Sequence, residues 1–178
     1  IKKNHFSFIF FEKINSFLIK NSKILITTLP YLENHYRKFY NFRGRIYYLR
    51  NPAVVNSFKP LPYPKIKNKI KIVFAGGFKA SSKIINYLKA INYIQKKKVF
   101  SFTYYFLGKG IDLNRCQSYV KNNNLKDIYF LKSRSKNNVL KFVSKCHLCM
   151  AVVSSNKNSK FGYNLNKIVD YTICGRPI

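Results

Sequence analysis

"KIKIVFAGGFKASSKIINYLKAINYIQKK", residues 69 to 97, decides the fold. Its first part is a short apolar run of the length a strand needs. The pair Gly76 and Gly77 breaks that run, and Ser81 or Ser82 can then cap the helix that follows. Strand, glycine turn and helix in this order form the opening half of a βαβ unit.

Working toward the end of the chain, the same alternation continues. "FSFTYYFLGKG" (100–110) is a second strand ending in a glycine turn at Gly108 and Gly110, and "LNRCQSYVKNNN" (113–124) is the next helix. "DIYFLK" (127–132) is a short strand. "KNNVLKFVSKC" (136–146) is a helix with Val139, Leu140 and Val143 on one side. "LCMAVVSS" (148–155) is a continuous apolar run suited to a strand buried on both faces. A last helix, "NLNKIVDYTIC" (164–174), runs into Gly175, a C′ residue, and Pro177. This alternation predicts a parallel sheet covered by helices on both faces.

Working toward the start, "NPAVVNSFKPLPYPKIKNK" (51–69) carries four prolines that interrupt all periodicity and reads as a linker. Before it, "KILITT" (23–28), "YLENHYRKFY" (31–40) and "RIYYLRN" (45–51) read as strand, helix and strand, the end of another α/β domain. The expected organisation is residues 1–50, a linker over 51–69, and a second domain over 70–178. Because the first residue is Ile1 and Pro177–Ile178 reads as the start of another element, the sequence is taken as a fragment.

The earliest stretch, "HFSFIFFEKINSFLI" (5–19), is interrupted by Glu12, Lys13 and Asn15, short of the ~20 apolar residues a membrane span requires. Phe6, Ile9, Phe10, Ile14 and Phe17 fall at roughly helical spacing. They suit a helix that packs on a core or lies on a membrane surface, with core packing the expected outcome.

Lys and Arg number 34 against 5 Asp and Glu, a formal net charge of +29. Such an excess points to nucleic acid or an anionic membrane surface. The basic residues, however, are spread along the chain and are mostly Lys, accompanied by abundant Asn, Ile, Phe and Tyr, the residue set that AT-rich codons supply. A phosphate-gripping patch would cluster and favour Arg. The distribution therefore speaks against a specific nucleic-acid partner. It suits a cytoplasmic protein that meets phosphorylated ligands, with a peripheral seat on the anionic inner membrane face compatible with the charge. The four cysteines include one close pair, "CHLC" at 146–149, with no second pair at metal spacing. They read as small buried hydrophobes at a helix-to-strand turn in a reducing compartment.

In an open parallel sheet a ligand binds beyond the carboxyl ends of the strands. Three loops belong there: "GGFKASSK" (76–83), "GKG" (108–110) and "SSNKNSKFGYNLNK" (154–167). Taken singly, each glycine is a turn residue and Lys79, Lys83 and Lys109 are solvated charges. Taken together on one rim, with an acid on the final helix, they outline an anion-binding crevice.

The run from about residue 70 to 178 resembles the donor-binding half of family 4 glycosyltransferases of the two-domain GT-B type, in particular bacterial members that build surface polysaccharides. The resemblance rests on "VFAGGFKASSKIINYLKAI", "FTYYFLGKG", "DIYFLKSRSKNNVLKFVSKCHLCMAVVSS" and, most specifically, "GYNLNKIVDYTICGRPI". In that closing segment Gly162, Asn166, Lys167, Ile168, Val169, Asp170, Tyr171, Gly175, Arg176 and Pro177 follow the family's order. Residues 1–50 resemble the end of the N-terminal domain more loosely. Asn51 keeps the asparagine of the usual Pro-Asn-Gly turn, and Pro52 stands in place of its glycine.

The resemblance implies a donor site formed by Gly76, Gly77, Lys83, Gly108, Gly162, Asn166, Lys167 and Asp170. Asp170 would accept hydrogen bonds from ribose hydroxyls, which an acceptor-only carboxylate does well. The bland alternative is a helix-surface acid paired with Lys167, three residues back. Lys83, Lys167 and Asn166 would meet the diphosphate. Gly162 stands where relatives often carry a first glutamate, and Gly77 where they carry an arginine.

The implied activity is retaining transfer of a sugar from a nucleotide diphosphate sugar to a glycan or lipid-linked acceptor, with no metal or other cofactor. A basic nucleic-acid-binding module and a non-catalytic relative are the alternatives.

Overall fold

The computed structural model describes residues 6–52, 58–79, 82–97, 101–151 and 159–178. Ser81, the 152–155 end of the last expected strand and the 154–158 part of the third loop lie outside the described residues. The described chain falls into two compact units. One contains residues 6–51 and 159–164; the other contains the remaining described residues from Pro52 to Ala151 and from Leu165 to Ile178.

The first unit comprises helix α1 (Phe6–Lys20), strand β1 (Ile24–Thr27), helix α2 (Glu33–Tyr40), strand β2 (Arg45–Tyr48) and a 3-10 turn at Ser159–Phe161. β1 and β2 are parallel, with Ile24 opposite Arg45. Ile19, Tyr40 and Phe42 form its core, with Leu25, Tyr36 and Ile46 packed against them. Tyr40 donates a 2.6 Å hydrogen bond to Glu12 Oε1, which ties α2 to α1.

α1 meets this core through Ile19, with most of its apolar residues exposed among the described residues. Ile19 is its one buried residue, and Phe6 is 81% exposed.

The second unit contains β3 (Ile70–Ala75), α3 (Ile84–Lys97), β4 (Phe102–Leu107), α4 (Leu113–Asn122), β5 (Ile128–Leu131), α5 (Lys136–Val143), β6 (Leu148–Cys149) and α6 (Asn166–Ile173). Its sheet is parallel throughout in the order β5-β4-β3-β6. The chain steps outward from β3 through β4 to β5, then returns by α5 to pair β6 on the other side of β3. The order therefore reverses between β3 and β6, the place where a sheet of this kind opens a crevice beyond its strand ends.

Side-chain alternation explains why both faces are covered. Phe74, Phe106 and Phe130 stand in register on one face, with neighbouring ring centroids 6.2 and 5.5 Å apart. They share a core with Ile84, Leu88 and Ile91 of α3 and Cys116 of α4. Val73 faces the other way and packs with Leu140 and Val143 of α5, Tyr171 of α6 and Cys174 just after α6. Each fully buried aromatic of this set contributes about 1.5–3 kcal/mol of transfer free energy.

Cys146 and Cys149 also lie in this second core. Burial raises both thiols to about 12, so they stay protonated and pack as small hydrophobes.

The closing Gly-Arg-Pro has a clear structural task. Gly175 adopts φ +61°, the left-handed geometry of a C′ glycine, and the Arg176 N–H donates back to the Tyr171 carbonyl at 3.1 Å. The Arg176 side chain turns inward and is buried. Its guanidinium donates to the carbonyls of Ser144, Gly175, Leu61 and Pro62. It also lies 5.3 Å over the Tyr63 ring. One planar fork thus joins α5, α6 and the proline-rich segment ahead of β3.

Candidate functional site

The loops that follow β3 and β4 are bonded to one another at the carboxyl edge of the sheet. Gly76 N–H donates to the Leu107 carbonyl at 2.9 Å, and Phe78 N–H to the Lys109 carbonyl at 2.9 Å. Gly108, at φ +151°, faces the Gly76 carbonyl so closely that a Cβ would collide with its oxygen. Glycine is required there by contact as well as by backbone geometry. α3 follows β3 and α5 follows β5, so both helices begin at this edge, the positive end of a helix dipole.

A cavity of about 420 Å³ opens on the same edge. Gly76, Gly77 and Gly108 form its floor, and Lys109, Arg134 and Lys136 bring cations to its walls. Asp170 is its one carboxylate among the described residues.

The helical period of α6 aims Lys167, Asp170 and Tyr171 at the sheet. Lys167 Nζ lies 4.1 Å from the Phe74 ring centroid and beside Gly76. Burial lowers its pKa below the usual lysine value. Asp170 is paired with Lys136 Nζ, not with Lys167. Its side chain is 19% exposed and that of Lys136 60%.

Tyr171 is fully buried one residue further on. Its hydroxyl accepts from Ala75 N–H at 2.9 Å and donates toward the Met150 carbonyl at 3.2 Å. It bridges the ends of β3 and β6 just below the crevice.

Of the residues expected to form a site, Gly76, Gly77, Gly108 and Asp170 line this cavity, and Lys167 lies beside Gly76. Asn166 is the first residue of α6. Lys83 sits at the start of α3, where its carbonyl accepts from Asn86 N–H, with φ +44° and an exposed side chain. It does not line the cavity among the described residues. Gly162 belongs to the first unit and packs against Pro30 and Tyr31.

Ser82, one of the two serines named as a cap, donates its hydroxyl to the Gly77 carbonyl at 3.0 Å and closes the loop ahead of α3; the other, Ser81, lies outside the described residues. Arg134 and Lys136 were missed, and Lys109 was read as a solvated charge. Arg134 lies in the loop after β5, which the strand-end rule identifies as readily as the other three, and Lys136 is the first residue of α5.

A cluster of cations beside lining glycines suits a compact, multiply charged anion. A single acid beside it suits hydroxyl donors carried by the same ligand. The cavity volume lies in the range of small-molecule sites.

The chain matches no protein-family model, and no curated protein matches it in sequence. Solved structures are similar in fold. Sucrose-phosphate synthase from Thermosynechococcus elongatus superposes with a TM-score of 0.69 at 16% identity, covering 93% of this chain and 42% of that one. The pneumococcal O-GlcNAc transferase GtfA, solved with UDP and GlcNAc, gives 0.64 at 13% identity over 90% of this chain and 31% of that one. The lipopolysaccharide outer core galactosyltransferase WaaB gives 0.64 at 12% identity over 88% and 42%.

The fold is of the GT-B type. The chain spans less than half the length of each of these proteins. Among the described residues no helix is long and apolar enough to cross a membrane.

Proposed function

We propose that this chain carries the donor site of a family 4 glycosyltransferase that transfers a sugar from a nucleotide diphosphate sugar to a glycan or lipid-linked acceptor. The observation that carries this reading is Asp170, which lines a cation-walled cavity at the carboxyl edge of a parallel sheet. A carboxylate in that position accepts hydrogen bonds from vicinal hydroxyls such as those of a ribose.

In this reading the diphosphate is met by Lys109, Arg134 and Lys136, which line the cavity, and by Lys167, which lies beside Gly76. As the sugar leaves, negative charge grows on that diphosphate. Fixed cations and helix-start amides stabilise it without rearrangement and without a metal. Retention at the transferred carbon is part of the same proposal, as the resemblance to family 4 implies. A role in bacterial surface polysaccharide synthesis is supported by the lipopolysaccharide galactosyltransferase among the fold neighbours.

Calorimetric titration of the folded chain with UDP, GDP and ADP tests the donor assignment. Saturable heat with one of them is expected. No heat with any of the three contradicts it.

A further inference from the structure

A second cavity, of about 770 Å³, lies at the opposite, amino-terminal end of the strands. Lys65 and Lys67 line it from the segment ahead of β3, Lys69 and Lys71 from the start of β3, and Lys145 from the turn before β6. Lys69 is neutralised by Asp127 at 2.6 Å. Among the described residues, no carboxylate lies within ion-pairing distance of the other four. Four uncompensated cations around one concavity raise the local concentration of anions.

Lysines at a surface do not make a site on their own. The informative residue is His147, which lines the same cavity and is only 2% exposed. Its main-chain N–H donates to the Lys71 carbonyl at 2.9 Å, and its carbonyl accepts from the Tyr63 hydroxyl at 3.0 Å. Its ring Nδ1 accepts from the Lys71 N–H at 2.8 Å. With Nδ1 acting as acceptor, the neutral ring carries its proton on Nε2. That N–H is buried and has no hydrogen-bond partner among the described residues. Buried donors are ordinarily satisfied, and one left open beside four cations calls for an acceptor that is anionic.

We propose that this cavity is a second anion site that takes a phosphate-bearing group, seated by Lys65, Lys67, Lys71 and Lys145 and oriented by the Nε2–H of His147. It lies at the other end of the sheet from the proposed donor site and stands or falls independently of it. The group can come from a soluble phosphate compound or from a phospholipid headgroup.

The test follows the imidazole resonances of His147 by NMR in the isotope-labelled chain. One arm titrates pyrophosphate; the other adds phosphatidylglycerol vesicles, with phosphatidylcholine vesicles as the neutral control. A His147 response to pyrophosphate assigns a soluble ligand, and a response to phosphatidylglycerol vesicles alone assigns a headgroup; either supports the site.

The Lys67→Glu, Lys145→Glu double variant should weaken binding by about tenfold or more, as reversal of two nearby charges does. The Lys89→Glu, Lys96→Glu double variant makes the same change in net charge on α3, away from the cavity, and should change affinity less than about twofold. Asp170→Ala should leave the His147 response intact. An unmoved His147 signal in both arms overturns the proposal. So does an equal loss of affinity in the two double variants, which would mean that net charge alone attracts the anion, or binding of duplex DNA with no response to either phosphate probe.

Discussion

Asp170 and Lys136 are ion-paired at the mouth of the carboxyl-edge cavity, the acid from α6 and the lysine from the first residue of α5. The pair brings together two helices from different parts of the chain and leaves the lysine largely in solvent. Coulomb attraction at such exposure is strongly screened, so its value lies in placing a cation and an acceptor side by side. Both are then at hand for one ligand that carries charge and hydroxyls.

Lys136→Glu separates site from scaffold. The exposed ion pair supports folding by no more than about 1 kcal/mol. Urea unfolding should therefore change little, whereas affinity for a nucleoside diphosphate should fall about tenfold or more as a cation becomes an acid beside Asp170. A large loss of stability with unchanged affinity would assign the pair a structural role instead.

Arg176→Lys should be costly despite keeping the charge. The guanidinium reaches carbonyls on three separate segments, and a lysine ammonium cannot span that fork. We expect a loss of about 3 kcal/mol, readable as a lower urea midpoint, because buried carbonyls lose their charged donor. A change below about 1 kcal/mol would show that water replaces the fork without penalty.

Gly108→Ala should damage both the edge loops and the site. The added methyl meets the Gly76 carbonyl, a backbone atom that moves only with its strand. The expected cost is about 1–3 kcal/mol. Gly175→Ala is the control, because a Cβ there meets nothing within 4 Å and only the φ of +61° is strained. Equal effects of the two would mean that collision contributes nothing.

Stability should fall as the solution is made alkaline. Cys146 and Cys149 ionise at about 9.0 when exposed but only at about 12 when buried, and burial likewise raises Tyr104 from 10.0 to about 12. Above the lower values the unfolded chain has released protons that the folded chain keeps, so stability declines with pH from roughly 9 toward 12. Below pH 9 these groups contribute no slope. Urea midpoints at pH 8, 10 and 11, with tyrosinate absorbance as a second probe, check this; a flat profile would contradict the burial of these groups.

The parallel sheet was legible because its strands are apolar runs of the right length, each closed by glycine or polar residues. Gly76, Gly77, Gly108 and Asp170 were legible because the carboxyl-edge rule gathers strand-end loops wherever the helices lead. Lys136 escaped because on α5 it reads as one more solvated lysine. Only the crossover of α5 from β5 to β6 brings it to Asp170, whereas i,i+3 spacing offers Lys167 alone as an alternative partner. Sequence does not separate the two serines before α3, because a serine there looks the same whether its hydroxyl turns forward to an amide or, as that of Ser82 does, back to Gly77. Arg176 resembled a motif residue of the site, yet its buried carbonyl partners come from segments far away in sequence.

The most direct test of the central claim is a paired titration of the chain and its Asp170→Ala variant with the nucleoside diphosphate that binds best. Circular dichroism should show both folded. The account predicts that the variant loses about tenfold or more in affinity, the loss expected when charged hydrogen bonds to hydroxyls are removed. Equal affinity in the two folded proteins would contradict it.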